Sequence, residues 1–321
     1  MAIEVIEPGL ATSIQDEGRP GYYNVGVPPS GALDLYSAAA ANALVGNAPT
    51  AAVIESAYMG PKLRFTEPAV VAVTGADIPV LINGASAPSW ESLDLKAGDE
   101  LSFGILAGGA RIYLAIAGGI DVPVVLGSRS LYALGAFGGF DGRALQAGDV
   151  LPVGAGAGRM GRSLPTELRP QFGKEVDVRI VLGLYDYRLT DEGLSSLVDR
   201  PWQLSPVADR IGFRYSGNTL KWKDRKQPFG AGSDPSNITD AGYPVGSIQV
   251  PGGIEPIILH RDAVSGGGYA QVGTVISADM DLVAQSAPGA MTRFVPVSLD
   301  EALAARALAK ARRAEMIAAL S

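Results

Sequence analysis

The chain has 321 residues, of which 47% are hydrophobic and 18% are charged, so it is long enough for two packed domains. Its formal net charge of −7 argues against general binding to nucleic-acid phosphates, which requires clustered lysine and arginine. The absence of cysteine excludes disulfides, a thiolate nucleophile and cysteine-bound metal. A single histidine, His260, excludes a histidine-rich metal site, and we expect no metal.

Apolar residues occur in short runs of four to eight, far below the ~20 consecutive residues that cross a bilayer. The N-terminus shows no basic segment followed by an apolar one. The sequence therefore predicts a cytoplasmic protein that has no membrane segment.

Short β-rich runs separated by Gly, Asn or Pro dominate both halves of the chain. Their spacing of about 8–12 residues favours barrels or sandwiches over a doubly wound sheet, and the sequence predicts a mainly β protein. The clearest runs are Val70–Val73, Val80–Ile82, Leu101–Phe103, Arg111–Ile116, Val176–Leu182, Ile248–Val250, Pro256–Leu259 and Gly273–Ile276.

A glycine- and proline-rich stretch from Gly154 to Gly173 has little apolar periodicity and is typical of a linker. We therefore expect an N-terminal β domain at 1–155, a linker at 156–174, a second β domain at 175–298 and a C-terminal helix at 299–321. Three turn-like tripeptides weakly indicate that the two domains are related: Ala97-Gly98-Asp99, Ala147-Gly148-Asp149 and Ala287-Pro288-Gly289.

Two helices are predicted. The first is alanine-rich, begins after the N-cap residue Asp34 and ends before Gly46. The second follows Ser298-Leu299-Asp300-Glu301, which has the capping-box pattern, and runs to about Leu320. We expect this final helix to pack on the second barrel or to trail from it.

The stretch from Ser13 to Asn47 concentrates glycine and polar side chains before an apolar helix. Gly18, Gly21 and Gly31 permit backbone conformations that point N–H groups at a ligand. Arg19 is a planar donor suited to a carboxylate or phosphate, and Asp16 and Asp34 are candidate acceptors. For each residue alone, a role as a turn residue or cap is the better interpretation.

The same motifs resemble the KipA family, which is also known as PxpC, a component of 5-oxoprolinase, or as the second subunit of allophanate hydrolase. The resemblance covers almost the whole chain. It rests on Thr12–Gly21, Gly26–Asp34, Ala41–Asn47, Ala52–Glu55, Thr74–Ala76, Tyr113–Pro123, Leu126–Ser130, Ile248–Pro251, Pro256–Leu259, Asp262, Gly267–Tyr269 and Ser277–Asp279.

This resemblance implies two tandem cyclophilin-like β barrels with a few short helices. It also implies a KipI/PxpB-like partner subunit and a PxpA (LamB/YcsF)-like protein, which together form an ATP-dependent 5-oxoprolinase. The carboxyltransferase region of urea carboxylase is related to the family. The sequence holds neither a Gly-Lys-Ser/Thr phosphate loop nor an Ala-Met-Lys-Met biotin motif, so we expect no cofactor on this chain alone. The complex would use ATP or, alternatively, a partner would deliver carboxybiotin.

Some positions depart from the usual 5-oxoprolinase pattern. The stretch Ser236–Gly246 looks more like the urea carboxylase version, Asp209 replaces a common Asn, and Gly266 replaces a common Thr. These departures leave the substrate open between 5-oxoproline, urea and another amide.

Motif match and chemical suitability together give the candidate site residues. The candidate catalytic carboxylates are Asp16, Asp34, Glu55 and Asp262, and the candidate substrate-binding residues are Arg19, Ser30, Gly31, Arg129, Arg210, Asn237, Asp240 and Tyr269. Asn237 offers one donor and one acceptor to an amide. Glu55 is equally well explained as a strand-end residue paired with an arginine, and Arg129 as a residue bonded to loop carbonyls. His260 is interpreted as a structural or surface residue and not as a general base.

Three functions follow from these observations. The first is a subunit of an amide or lactam hydrolase of the 5-oxoprolinase type, inactive alone. The second is a component of a biotin-dependent carboxyltransferase, and the third is a non-catalytic regulatory binding protein. No contact with nucleic acid or membrane is expected.

Overall fold

The computed structural model describes residues 2–321, which divide into two compact units. The first unit contains the chain up to Arg19, Ser30–Phe172 and Lys310–Ser321, and the second contains Pro20–Pro29 and Gly173–Ala309. Both units are built mainly from β-strands. The predicted mainly β class, with short helices and a C-terminal helix, is confirmed.

The first unit holds two antiparallel sheets. Six strands form one sheet in the order β11-β1-β4-β9-β6-β7, and five form the other in the order β2-β3-β10-β5-β8. The strands are β1 (Ala2–Glu7), β2 (Ser13–Gln15), β3 (Val53–Ala57), β4 (Lys62–Phe65), β5 (Ala69–Asp77), β6 (Val80–Ile82), β7 (Ala85–Ala87), β8 (Ser92–Leu95), β9 (Glu100–Phe103), β10 (Gly108–Ile116) and β11 (Val150–Pro152).

Strand β5 is buried on both faces, which explains its unbroken apolar sequence. Val71 and Val73 point into the core shared by the two sheets, together with Ile3 and Phe65. Because side chains alternate along a strand, Val70 and the rest of its set point to the opposite face. There they pack in a second core with the helix α1 (Leu35–Val45).

Helix α1 begins and ends where the sequence predicts. The Asp34 side chain accepts a hydrogen bond from the backbone N–H of Ser37, as an N-cap residue does, and Gly46 has a left-handed φ of 81° at the C-terminal end. Every residue from Tyr36 to Val45 is buried. The alanines therefore allow close approach to the sheet.

The C-terminal helix α4 (Leu299–Ala319) begins with the predicted capping box. Ser298 Oγ accepts from the Glu301 N–H at 3.2 Å, and Glu301 Oε2 accepts from the Ser298 N–H at 2.7 Å. The expected packing on the second barrel is wrong for the end of this helix. Met316 and Leu320, four positions apart on one face, are buried in the α1 core of the first unit.

Residues 154–172 lie in the first unit. Within this glycine-rich stretch, Leu164 and Leu168 are buried in the same core as α1. Arg162 donates a hydrogen bond to the Ala43 carbonyl near the end of that helix, at 2.8 Å.

The second unit is built on a closed seven-stranded barrel, in the order β12-β19-β16-β17-β14-β13-β20, beside the two-stranded sheet β15-β18. Trp202, Phe213, Tyr215 and Phe294 are fully buried in its core. The strands are β12 (Glu175–Leu182), β13 (Trp202–Ala208), β14 (Gly212–Ser216), β15 (Asn237–Gly242), β16 (Ser247–Gln249), β17 (Ile257–Leu259), β18 (Gly266–Tyr269), β19 (Gln271–Val275) and β20 (Met291–Pro296). The remaining helices are α2 (Asp191–Val198), α3 (Met280–Ala284) and the 3-10 turns Tyr23–Val25, Thr166–Leu168, Asp186–Arg188, Pro251–Gly253 and Ser277–Asp279.

The three predicted turn tripeptides share one hydrogen-bond pattern. The glycine N–H donates to a strand carbonyl: Gly98 to Phe65 at 2.7 Å, Gly148 to Val5 at 2.8 Å and Gly289 to Leu204 at 2.8 Å. The amide of the same strand residue donates back to the residue after the glycine. The repeated turn therefore occurs twice in the first unit and once in the second.

None of the helices within residues 2–321 has the length and apolar character that a membrane span requires.

Candidate functional site

Asp16, directly after β2, connects two of the predicted loops. Its Oδ1 accepts hydrogen bonds from Ser128 Oγ at 2.6 Å, Ser130 Oγ at 2.5 Å and the Gly18 N–H at 2.7 Å. Its Oδ2 accepts from the Arg129 N–H at 2.6 Å. The structure thus brings Asp16 and the Arg129 backbone together, with the carboxylate as the common acceptor.

Arg19 is 1% exposed and holds the neighbouring loop. Its guanidinium donates to the Ser130 carbonyl and, at 3.5 Å, to the Val125 carbonyl. It also lies 5.0 Å from the ring centroid of Phe137, within range of a cation–π contact. These contacts are with the protein itself.

Ser30 and Gly31 form the tight turn before α1. Both have positive φ, 51° and 92°, and a Cβ added to Gly31 would lie 2.8 Å from backbone atoms of Glu17 and Gly18. Four consecutive N–H groups follow, each of which donates to a group of the protein. Their acceptors are Gln15 Oε1 for Gly31 (3.2 Å), the Asp16 carbonyl for Ala32 (2.8 Å), Glu55 Oε2 for Leu33 (2.8 Å) and the Tyr113 hydroxyl for Asp34 (2.8 Å).

Asp34, Glu55 and Tyr113 form a buried polar cluster below this turn. Asp34 accepts from the Ser37 N–H at 2.9 Å and from Ser37 Oγ at 2.5 Å. Burial raises the pKa of Tyr113 well above its ordinary value, and the Glu55 and Asp34 carboxylates act in the same direction. Tyr113 is therefore a protonated donor that is hydrogen-bonded to Glu55.

Arg129 is the most open of the predicted residues in the first unit, with a side chain that is 37% exposed. Its Nε donates to the Val122 carbonyl at 2.9 Å, and its terminal nitrogen forms an ion pair with Asp121 at 3.0 Å. The interpretation as an arginine bonded to a loop carbonyl describes the first contact.

In the second unit, Arg210 and Asp262 form a two-point ion pair. Arg210 Nε lies 2.7 Å from Asp262 Oδ2, and its terminal nitrogen lies 3.2 Å from Oδ1. Asp262 is 4% exposed. Tyr23 lies nearby, and burial raises its pKa, with Arg261 opposing this shift and Asp262 adding to it.

Asn237 and Tyr269 are directly opposite each other in the β15-β18 pair. Residues opposite in an antiparallel pair present their side chains on one face, so the structure places these two predicted residues together. The Tyr243 hydroxyl bridges the Tyr269 N–H and carbonyl, at 2.7 Å each. Asp240 is exposed further along β15.

His260 is fully buried, so the structural alternative describes it. Its Nδ1 accepts from the Arg261 N–H at 3.0 Å, and its ring centroid lies 5.5 Å from that of Phe213. Over residues 2–321, no three His, Cys, Asp or Glu side chains are grouped as a metal site requires.

Several residues of these polar regions were absent from the sequence-based candidates. In the first unit they are Gln15, Tyr113, Ser128 and Ser130, and all four lie inside the motifs that carry the family resemblance. In the second unit they are Arg188 and Arg225, whose donors converge on the Asn237 carbonyl at 3.1 and 3.2 Å. A signal for these two was the basic, aromatic stretch Lys221–Lys226.

Residues 25–296 match the family described as "Carboxyltransferase domain, subdomain A and B". The chain belongs to this carboxyltransferase-domain family. The resemblance stated from the motifs is thereby confirmed, because relatives in the family include proteins named as the PxpC-type subunit of 5-oxoprolinase and as urea amidolyase.

Two curated relatives differ in how much of their own length the chain covers. Urea amidolyase of Saccharomyces cerevisiae is 37% identical over 309 residues, which are 93% of this chain but 17% of that protein. The 5-oxoprolinase subunit of Escherichia coli is 33% identical over 308 residues, which are 95% of this chain and 94% of that protein. The chain therefore spans about a sixth of the first relative and nearly all of the second.

The fold is shared with a solved structure. The crystal structure of the K. lactis urea amidolyase superimposes with a TM-score of 0.92 at 35% identity, over 98% of this chain and 20% of that one.

Proposed function

We propose that this chain is the PxpC-type subunit of an ATP-dependent 5-oxoprolinase, a complex that opens the lactam of 5-oxoproline to glutamate. The observation that carries the proposal is the match over 94% of the E. coli 5-oxoprolinase subunit. The corresponding protein of Haemophilus influenzae is 31% identical, with 93% of its length covered. Nearly every part of that subunit therefore has a counterpart in this chain.

The proposed reaction adds water across the lactam C–N bond. The oxygen of water goes to the new carboxylate and its proton to the new amine, while ATP hydrolysis drives the opening. We propose that a KipI/PxpB-like subunit and a PxpA (LamB/YcsF)-like protein complete the complex, and that this chain is inactive alone. ATP binding belongs to another component, because the sequence lacks a Gly-Lys-Ser/Thr phosphate loop.

The contacts favour positioning roles for three predicted catalytic carboxylates. Asp16, Asp34 and Glu55 already accept hydrogen bonds from the protein's own N–H and O–H groups. A proton-transfer group needs a free approach to the substrate. Catalysis by these three residues and by Asp262 stays a prediction, and we propose that the substrate meets amide and guanidinium groups of the second unit.

The test is reconstitution from purified components. The chain alone is expected to release no glutamate from 5-oxoproline, and the mixture with both partner proteins is expected to release glutamate with ATP consumption. The mixture without this chain is the control. A complete mixture that forms no glutamate contradicts the proposal.

A second candidate is a biotin-dependent carboxyltransferase component, supported by the TM-score of 0.92 with the K. lactis urea amidolyase. Carboxybiotin would have to arrive on a carrier, because no biotin-attachment motif is present. The N–H groups of Gly31–Asp34 do not fit it, because each already donates to a protein acceptor. Stimulation of urea-dependent turnover by a biotinylated carrier, reversed by avidin, would favour this candidate, whereas indifference to both would exclude it.

A further inference from the structure

Arg188 is a buried cation at the end of the 3-10 turn that follows β12. It is 3% exposed. One terminal nitrogen donates to the Asn237 carbonyl at 3.1 Å and the other to the Pro235 carbonyl. Its guanidinium also lies 6.0 Å from the ring centroid of Tyr185 and 5.6 Å from that of Trp222. The position of this charge is therefore fixed from several sides.

This cation has no carboxylate partner. Across the described residues 2–321, Arg188 forms no ion pair, and its buried Nε has no hydrogen-bond acceptor. The neighbouring carboxylate of Asp234 is engaged by Ser236, whose N–H and Oγ donate to its Oδ1 at 2.8 and 2.5 Å. A buried charge without a counterion is costly, so the site favours an added anion.

A second guanidinium lies beside the first. Arg225 is exposed, and it donates at 3.2 Å to the same Asn237 carbonyl. It also donates to Gln227 Oε1, at 3.0 and 2.7 Å. Burial lowers the pKa of Arg188, and the charge of Arg225 lowers it further. Two cations thus repel each other at one oxygen atom, and a bound anion would relieve that repulsion.

An amide and a hydroxyl adjoin this pair without partners of their own. Within the part of the chain that the structure describes, neither the Asn237 side-chain amide nor the Tyr269 hydroxyl forms a hydrogen bond. Asn237 is half-buried and Tyr269 is 40% exposed, and both lie on one face of the β15-β18 pair. The amide has one donor and one acceptor, the complement of an N–C=O group.

We propose that Arg225, backed by Arg188, binds the carboxylate of a small anionic amide whose N–C=O group pairs with Asn237. A guanidinium presents paired donors that match a carboxylate. Under the proposed function, on which this assignment rests, the ligand is 5-oxoproline, a lactam with a carboxylate. Urea has the amide group but no carboxylate, so it leaves the cation pair unneutralised.

The test compares four ligands that separate the two recognition elements. These are 5-oxoproline, 2-pyrrolidinone (the lactam without the carboxylate), cyclopentanecarboxylate (the carboxylate without the amide) and urea. Calorimetry with the purified chain is expected to give the tightest binding for 5-oxoproline. The variant Arg225→Gln is expected to weaken 5-oxoproline roughly tenfold or more and to leave 2-pyrrolidinone unchanged. Arg225→Lys should recover part of the loss.

The matched control is Lys226→Gln, which removes the same charge from the adjacent exposed residue. It is expected to leave 5-oxoproline binding unchanged. Equal weakening by Lys226→Gln and Arg225→Gln would mean general attraction and would overturn the site. Unchanged binding in Arg225→Gln, or equal losses for 5-oxoproline and 2-pyrrolidinone, would overturn it as well.

The assembled complex separates this assignment from the proposed function. With turnover present, Arg225→Gln should raise KM for 5-oxoproline roughly tenfold and retain kcat. If the complex is active and KM is unchanged, the site is wrong while the function stands. If no complex forms glutamate but the chain binds 5-oxoproline through Arg225, the function is wrong while the site stands. Absence of 5-oxoproline binding by both the chain and the complex overturns the site.

Discussion

The polar regions of the two units differ in how their charged groups are neutralised. In the first unit, Asp16 accepts four hydrogen bonds from the neighbouring loops. In the second, Arg188 and Arg225 have only carbonyl and amide oxygens as acceptors. A region whose charges are matched internally is built for rigidity, whereas a region with unmatched charge is suited to a charged ligand.

This difference reassigns the segment that dominates the sequence signature. Residues 13–34 contain most of the motif matches, and their polar groups bind one another. They hold the turn before α1 in a single conformation. The groups that are open to a substrate lie around Asn237 instead, where the sequence looks more like the urea carboxylase version.

The largest expected effect breaks the first region. Asp16→Ala should lower the free energy of unfolding by about 3–5 kcal/mol, because hydrogen bonds to an ionised group are strong and their donors lose their acceptor. Urea-induced unfolding measures the change, and Asp94→Ala, at an exposed position of the same unit, should stay within about 0.5 kcal/mol. Unchanged stability with lost activity in the complex would make Asp16 a catalytic residue.

A smaller loss is expected where the backbone is closest. In Gly31→Ala, the new Cβ would lie 2.8 Å from backbone atoms at a φ of 92°, which should destabilise the first unit by about 2–3 kcal/mol. Gly98→Ala is the matched control, since its φ is 88° and nothing lies within 4 Å of the added atom. It should cost only about 1 kcal/mol. Equal losses in the two variants would show that the close approach is unimportant.

A single hydrogen bond of the cluster can be isolated at Tyr113. Tyr113→Phe removes the acceptor of the Asp34 N–H and a donor to Glu55, so a loss of about 1–2 kcal/mol is expected. Amide hydrogen exchange at Asp34 should become faster. Tyr187→Phe, at a residue that is 62% exposed, should change neither quantity. Unaltered exchange at Asp34 would contradict the role of the hydroxyl.

Local features of the fold could be predicted from the sequence because they are encoded by neighbouring residues. The caps of α1 and α4 depend on Asp34, Gly46 and Ser298, each within a few positions of its partner. The shared turn around Gly98 and Gly148 is visible as a tripeptide for the same reason.

Contacts between distant residues could not be predicted in this way. Tyr113 bonds the amide of Asp34 from 79 positions away, and Asp16 is bound by Ser130 from 114 positions away. Arg188 is adjacent in sequence to exposed Tyr187, and its burial depends on Trp222 and on the Pro235 carbonyl. Asn237 and Tyr269 could be predicted from chemistry, but the cations beside them depend on the folding of the loop.

The smallest expected effect is at Arg225, and it sharpens the comparison most. Arg225→Gln should change the free energy of unfolding by no more than about 0.5 kcal/mol, because the residue is exposed and Arg188 continues to bond the Asn237 carbonyl. Loss of the like charge beside Arg188 should, if anything, favour the folded state. Urea unfolding of Arg225→Gln beside Lys226→Gln measures this. A loss above about 2 kcal/mol would make Arg225 a structural residue like Asp16. An unchanged stability with weakened 5-oxoproline binding separates a group kept for a ligand from groups kept for the fold.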